Sequence, residues 1–471
     1  MKRFSVIVIL AVSALLYGQE NLNERPQLKG KIDRLVSQYT ELDVFSGVVL
    51  VAQEGEPVYH KPFGLANREE NIANTLDTRF DIGSMNKTFT KVVVLQLVDE
   101  GKLRLSDKLV DYLPGFKQQG AEKITIEHLL NHQSGFGDYH SPEYMRTPPA
   151  ERTISWIVER VQKMPLMFEP GTEQEYSNAG YVILGAIIEK VSGISYHQNV
   201  VERIIEPLGL KQTHVENKSD VPQKAIGYFK TATGELRDNS GFSELPNPDG
   251  GFHSTTRDIL TFYLNYFYEN TLLNENTRKM DRMFGFVQEH RNSGGAIPLA
   301  GGFPGANTVL YEILRDGISV VIFANMDEPV AEQLGAGILA IIRGQQPQKP
   351  QLPAIQNVYN AYKKHGAAYV KENWEKLIVN FHPGDPHDII LNQVGYELLF
   401  SEKTDQAIEF FTLNTEMFPD VANVWDSLAE AWRKKGDNAK ALKFYKRALS
   451  IRPDMPSAKQ AVEELEASTG N

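Results

Sequence analysis

Ser84 and Lys87 stand three residues apart in Asp81-Ile82-Gly83-Ser84-Met85-Asn86-Lys87, ahead of the apolar positions Phe89, Val92, Val93 and Leu97. That spacing predicts serine and lysine on one face at the first turn of a helix that ends at Gly101. Serine is a weak nucleophile at its own pKa and needs a base within hydrogen-bond reach. A lysine serves only where burial or a neighbouring cation disfavours its ammonium form. The helix N-terminus adds a positive field where negative charge would develop. Taken alone, the pair equally describes an N-cap serine beside a solvated lysine, so support has to come from elsewhere in the chain.

A second constellation lies in Pro170-Gly171-Thr172-Glu173-Gln174-Glu175-Tyr176-Ser177-Asn178-Ala179-Gly180-Tyr181, which leads into an apolar helix from Val182 to Val191. Tyr176 and Asn178 are two apart, so in an extended segment both side chains point the same way. A tyrosine beside a lysine ammonium can act as a phenolate-like base. An amide can hold the lysine and donate to a substrate carbonyl. A helix-capping asparagine beside a core tyrosine would read the same in isolation.

The elements that must position these residues are legible at both ends of the first 345 residues. Ser46–Gln53 and Pro57–Phe63 flank a Glu54-Gly55-Glu56 turn and predict a hairpin. Thr308–Leu314 and Ile318–Asn325 form a second strand pair around Arg315-Asp316-Gly317. Between them lies a long helix-rich stretch. The expected fold class is α+β: one antiparallel sheet built from both ends, flanked by helices and carrying a helical insertion. A helix from Val330 to Ile342 is expected to cover the sheet.

Residues 346–354 are proline-rich and polar and predict a linker, followed by connecting helices over 355–390. The remainder repeats itself with an offset of 34 residues: Gly395 with Ala429, Ala407 with Ala441, Phe411 with Tyr445, Pro419 with Pro453. That is the period of a tetratricopeptide helix pair. Two repeats and a capping helix are expected over 391–467, as an all-α domain. Such repeats are either a structural appendage or a surface for a protein or peptide partner.

The order of the motifs carries a resemblance. Ser84-x-x-Lys87 is followed about 90 residues later by Tyr176-x-Asn178. His128-Leu129-Leu130-Asn131-His132-Gln133-Ser134-Gly135, Pro170-Gly171-Thr172, Gly250-Gly251-Phe252-His253-Ser254-Thr255 and Gly301-Gly302-Phe303-Pro304-Gly305 fall in the same sequence order. Over about residues 28–345 the chain resembles the serine β-lactamase and penicillin-binding-protein superfamily, most closely its class C, esterase and D-aminopeptidase branch. The resemblance implies a serine hydrolase. Ser84 attacks a carbonyl and forms an acyl-enzyme, Lys87 and Tyr176 share the proton traffic, and Asn178 orients Lys87 and the substrate. It also implies an oxyanion hole from the backbone N–H groups of Ser84 and Gly302, with Gly301, Gly302 and Phe303 binding substrate.

One position departs from the pattern. Leu299 stands where the family carries a lysine or histidine, in Leu299-Ala300-Gly301-Gly302. Leucine binds no carboxylate, so an ester, amide or peptide lacking that group is the expected substrate rather than a β-lactam. His290 or Arg291, just upstream, are the cations that would restore the charge. A catalytically impaired ligand-binding or sensor protein is the alternative that Leu299 motivates.

Composition narrows the remaining classes. The chain has 471 residues, a net charge of −11 and no cysteine. An acidic body argues against nucleic acid or anionic lipid as the main partner. The absence of cysteine removes disulfides, thiolate metal sites and a lipid-modified N-terminal cysteine. His128 and His132 have a metal-compatible spacing, but Ser134-Gly135 ends their helix at once; no metal or cofactor is expected. Lys2 and Arg3, the apolar run Phe4–Leu16 and the small residue Gly18 have the order of a secretory signal over residues 1–18. A secreted or periplasmic location, with no membrane span after its removal, is the expectation.

Overall fold

The computed structural model describes residues 21–469 apart from 243–244, 291, 293, 328, 380 and 382–385. The expected signal segment 1–18 lies outside the described residues. The chain forms two compact units, one from Met1–Phe229 with Asp238–Pro350, the other from Lys230–Arg237 with Gln351–Asn471. No helix among the described residues is long and apolar enough to cross a membrane.

The first unit is built on five antiparallel strands. β1 (Gly47–Gln53) and β2 (Glu56–Phe63) come from the start of the chain, and β3 (Ile297–Phe303), β4 (Ala306–Ile313) and β5 (Ile318–Ala324) from the far end. Their order is β2-β1-β5-β4-β3. The β1–β2 turn carries positive φ at Glu54 (52°) and Gly55 (81°), the twist-compatible geometry of a two-residue hairpin. β1 and β5 pair through Leu50 opposite Val321, which joins the two ends of the unit in one sheet. β5 is buried along its whole length because it has a strand on either side and helices over both faces.

Five helices frame this sheet and its insertion: α1 (Leu28–Glu41), α2 (Lys87–Asp99), α3 (Asn178–Ser192), α4 (Thr256–Tyr268) and α5 (Val330–Ile342). α5 covers β4 and β5 and packs on α1. Gly335 lets α5 approach, since a Cβ there would lie 2.5 Å from the Tyr311 ring. On the other sheet face Val48, Leu50, Val321 and Phe323 join the core of the helical insertion. α2 runs through that core. The sequence shows an amphipathic pattern, yet every residue from Lys87 to Leu95 is buried. Its polar side chains are satisfied across the core: Thr88 by the Tyr263 hydroxyl (3.0 Å), Thr90 by the Pro248 carbonyl (2.6 Å), Lys91 by Asp281 (3.1 Å). Phe89 stacks on Phe262 of α4 at 3.8 Å between ring centroids.

The second unit contains helices at the repeat spacing: α6 (Asp388–Phe400), α7 (Thr404–Met417), α8 (Ala422–Lys435), α9 (Asn438–Ile451) and a final α10 (Pro456–Thr469). α6 and α8, and likewise α7 and α9, begin 34 residues apart. Small residues sit where paired helices cross: Ala407 and Ala441 are fully buried, and a Cβ on Gly395 would lie 2.5 Å from the Phe411 ring.

Glu312 on β4 is buried among the strands and accepts hydrogen bonds from Ser319 and Tyr268. Burial lifts its carboxyl from 4.5 to about 7. The folded protein therefore holds a proton that the unfolded chain releases above pH 4.5. Stability is expected to fall as pH rises from 4.5 to about 7 and then level off, by on the order of 3 kcal/mol from this group. Thermal melts from pH 4.5 to 8 should show Glu312→Gln flattening that slope; an unchanged slope would place its origin elsewhere.

Candidate active site

The nucleophile segment is a tight junction before α2. Gly83–Asn86 forms a 3₁₀ turn with Gly83 at φ +50°, and α2 begins at Lys87. Ser84 thus precedes the α-helix rather than lying in its first turn. The loop 247–252 wraps this segment with backbone carbonyls. Asn247 O accepts from the Asn86 amide (2.7 Å), Asp249 O from Lys87 Nζ (2.6 Å), and Phe252 O from the Ile82 N–H (2.9 Å). Sequence reading singled out Gly250–Thr255 but missed Asp249, whose contribution is a main-chain oxygen and leaves no residue-type signal.

Ser84, Lys87 and Tyr176 converge. Lys87 Nζ lies 2.9 Å from Ser84 Oγ and 5.0 Å from the Tyr176 ring centroid. The Tyr176 hydroxyl lies 2.7 Å from the same Oγ. Lys87 is 6% exposed and Tyr176 37%, so the lysine is enclosed and the tyrosine opens to solvent. The serine oxygen therefore sits between two proton carriers, one of them reachable by a substrate. Asn178 starts α3, and Ser177, not Asn178, is the residue that caps it, through the Gly180 N–H. The His140 ring, and to a smaller extent the Asn178 amide, hold the Asp138 carboxyl below its usual range, while Lys87 is held by Asp249 O. The neighbouring Tyr139 hydroxyl donates to Asp249 Oδ2 at 2.8 Å.

The edge strand β3 supplies the other wall. A Cβ on Gly301 would lie 2.1 Å from Ile82 O and 2.8 Å from Ser84 N; one on Gly83 would lie 2.6 Å from Gly302 N. Two facing glycines thus bring the Ser84 and Gly302 backbone nitrogens into one junction. Thr308 Oγ1 ties it from β4 by donating to Ile82 O (3.1 Å) and Gly301 O (3.2 Å). The Ser84 and Gly302 N–H groups are the two from which the resemblance expects an oxyanion hole. Phe303 is half-buried and packs edge-on against Phe242 at 6.4 Å.

Leu299 shares the inward face of β3 with Gly301, is 8% exposed and belongs to the core. An alkyl group fills the position expected to hold a cation. His290 ends the helix Arg282–His290, and Arg291 lies outside the described residues. His128 and His132 have structural work. His128 completes a capping box with Thr125, and His132 lies against Tyr176.

A family model described as Beta-lactamase matches residues 32–342. This chain belongs to the β-lactamase family. It is a serine hydrolase of that fold. A second family model, Tetratricopeptide repeat, matches residues 422–455. Penicillin-binding protein 4* of Bacillus subtilis (strain 168) is 29% identical over 336 residues, which cover 65% of this chain and 73% of that protein. Teichoic acid D-alanine hydrolase of Staphylococcus aureus is 29% identical over 224 residues, 47% of this chain and 53% of that protein, about half of either. Among solved structures, the penicillin binding protein from Bacillus halodurans superposes with a TM-score of 0.56 at 26% identity, covering 66% of this chain and 98% of that one.

The Gly83–Gly301 approach generates a direct test. Gly301→Ala must push β3 away from Ser84, because the new methyl group meets backbone and not a flexible side chain. Displacing one oxyanion donor is expected to lower kcat about 10²- to 10³-fold with the fold retained. Ester hydrolysis alongside circular dichroism of this variant measures it.

Proposed function

We propose that this hydrolase cleaves esters or amides through an acyl-enzyme on Ser84. The carrying observation is the placement of one hydroxyl within 2.9 Å of an enclosed lysine and 2.7 Å of a solvent-facing tyrosine. In this reading Lys87 and Tyr176 relay the serine proton to the leaving group. The backbone N–H groups of Ser84 and Gly302 receive the negative charge of the tetrahedral intermediate, and α2 adds its N-terminal field. Asn178 borders the substrate side beside Asp138. Water then attacks the acyl-enzyme by the same proton route in reverse.

Labelling by a fluorophosphonate tests the nucleophile. Wild-type protein is expected to be modified, and Ser84→Ala is expected to lose all labelling. Lys87→Ala should slow it by at least about 10²-fold, the scale of a lost general base. Folded wild type that resists both a fluorophosphonate and a fluorescent penicillin would instead favour a binding or sensor protein, the reading that Leu299 motivates.

The substrate side follows from Leu299. With an apolar residue at that site, recognition of a carboxylate on the leaving side lacks its usual partner. The favoured substrates are therefore esters or amides without that carboxylate. The relative named as a teichoic acid D-alanine hydrolase supports this class. A panel of short acyl esters against penicillins and cephalosporins is expected to show turnover of the esters and little of the β-lactams. Fast cephalosporin hydrolysis would overturn the assignment. The repeats are proposed to offer a surface for a protein or peptide partner, and the order of residues 2–18 supports export.

A further inference from the structure

His132 contacts the Tyr176 ring and holds the backbone on both sides of that tyrosine. Its ring lies 4.7 Å from the Tyr176 ring at 30° between planes, and 5.1 Å from Tyr181 at 34°. Its Nδ1 accepts the Ser177 N–H at 3.2 Å. Its carbonyl accepts the Glu175 N–H at 3.0 Å. The residues immediately before and after Tyr176 are therefore both tied to one histidine. The backbone at His132 is in the left-handed region, φ +58°, a conformation uncommon for a non-glycine residue. That turn aims the ring back at the 175–177 segment.

We infer that His132 is the positioning residue for Tyr176, holding the phenol over Ser84 Oγ by a tilted ring contact and a two-sided backbone clasp. The inference rests on the reading of Tyr176 as a proton carrier for Ser84. An extended segment ahead of a helix has no ladder of its own to fix its side chains. Without the clasp, the tyrosine can turn about its backbone, and misplacements on the order of 1 Å cost about 10²-fold in rate. The ring also has to stay neutral, because its Nδ1 is an acceptor and Lys87 is close. Burial, with the charges of Lys87 and Lys91, holds the imidazole down to about 3. A protonated ring would lose the Ser177 bond and add a third cation to the site.

The test uses the full chain and three variants. His132→Ala removes ring contact and acceptor. His132→Asn keeps a short acceptor and suits the left-handed backbone. His132→Phe keeps only the ring contact. With a short p-nitrophenyl ester, His132→Ala is expected to lower kcat about 10- to 100-fold while KM stays within about threefold. Asn and Phe are each expected to recover part of that loss, and they carry the test if the alanine variant fails to fold. Wild-type kcat in a folded His132→Ala would overturn the inference. So would losses that follow Tm alone, with no recovery by Asn or Phe. Failure of the underlying reading looks different: Tyr176→Phe would then keep wild-type kcat, so that no positioning of Tyr176 could matter.

Discussion

The buried Lys87 amino group is the constraint from which the active site follows. A polar group with so little exposure has to be held by hydrogen-bonding oxygen atoms, because burial without partners is costly. Two of its hydrogen bonds go to Ser84 Oγ and to the Asp249 carbonyl. The second requires a loop, not a helix, beside the start of α2, since helical carbonyls are already used within the helix. The run 247–252 provides it, and its other carbonyls meet Asn86, Thr90 and the Ile82 N–H. Once this loop and α4 cover it, α2 has no solvent face from Lys87 to Leu95. Its threonines and Lys91 must then find buried partners, and they do.

The second requirement is a close backbone approach. An oxyanion hole needs two N–H groups converging from separate segments, and side chains would hold those segments apart. Gly83 and Gly301 remove the obstruction, and Thr308 fastens the pair. The sheet order explains how a strand from residue 297 onward reaches Ser84. β3 is the edge strand of a sheet that opens with β1, so its outer flank is free to meet the helical insertion. Leu299, two residues along the same face, is buried with the core, which joins the site wall to the packing of the insertion.

Tyr176 stands apart from this rigid frame. It lies in an extended segment and is the most exposed of the three converging residues. What fixes it is contact with His132 and the cap at Ser177 that starts α3. The site thus combines an enclosed ion and backbone junction with one accessible hydroxyl, an arrangement suited to binding substrate on the tyrosine side and keeping water from Lys87.

Much of this was legible in the residues. Spacing alone placed Ser84 and Lys87 together, alternation and turn residues marked β1, β2, β4 and β5, and the 34-residue offset marked the helix pairs of α6 to α9. Order among several motifs linked Tyr176 to the serine across 92 residues. These are local periodicities and residue chemistries, which a sequence records directly. Tertiary structure decided the rest. It showed Ser84 in a 3₁₀ turn, Lys87 tied to the carbonyl of a loop distant in sequence, α2 buried from Lys87 to Leu95, and His132 against a tyrosine. Each of these depends on a main-chain atom or on a neighbour distant in sequence. Residue identity carries no mark of which carbonyl will face which ammonium; only the path of the chain in space does.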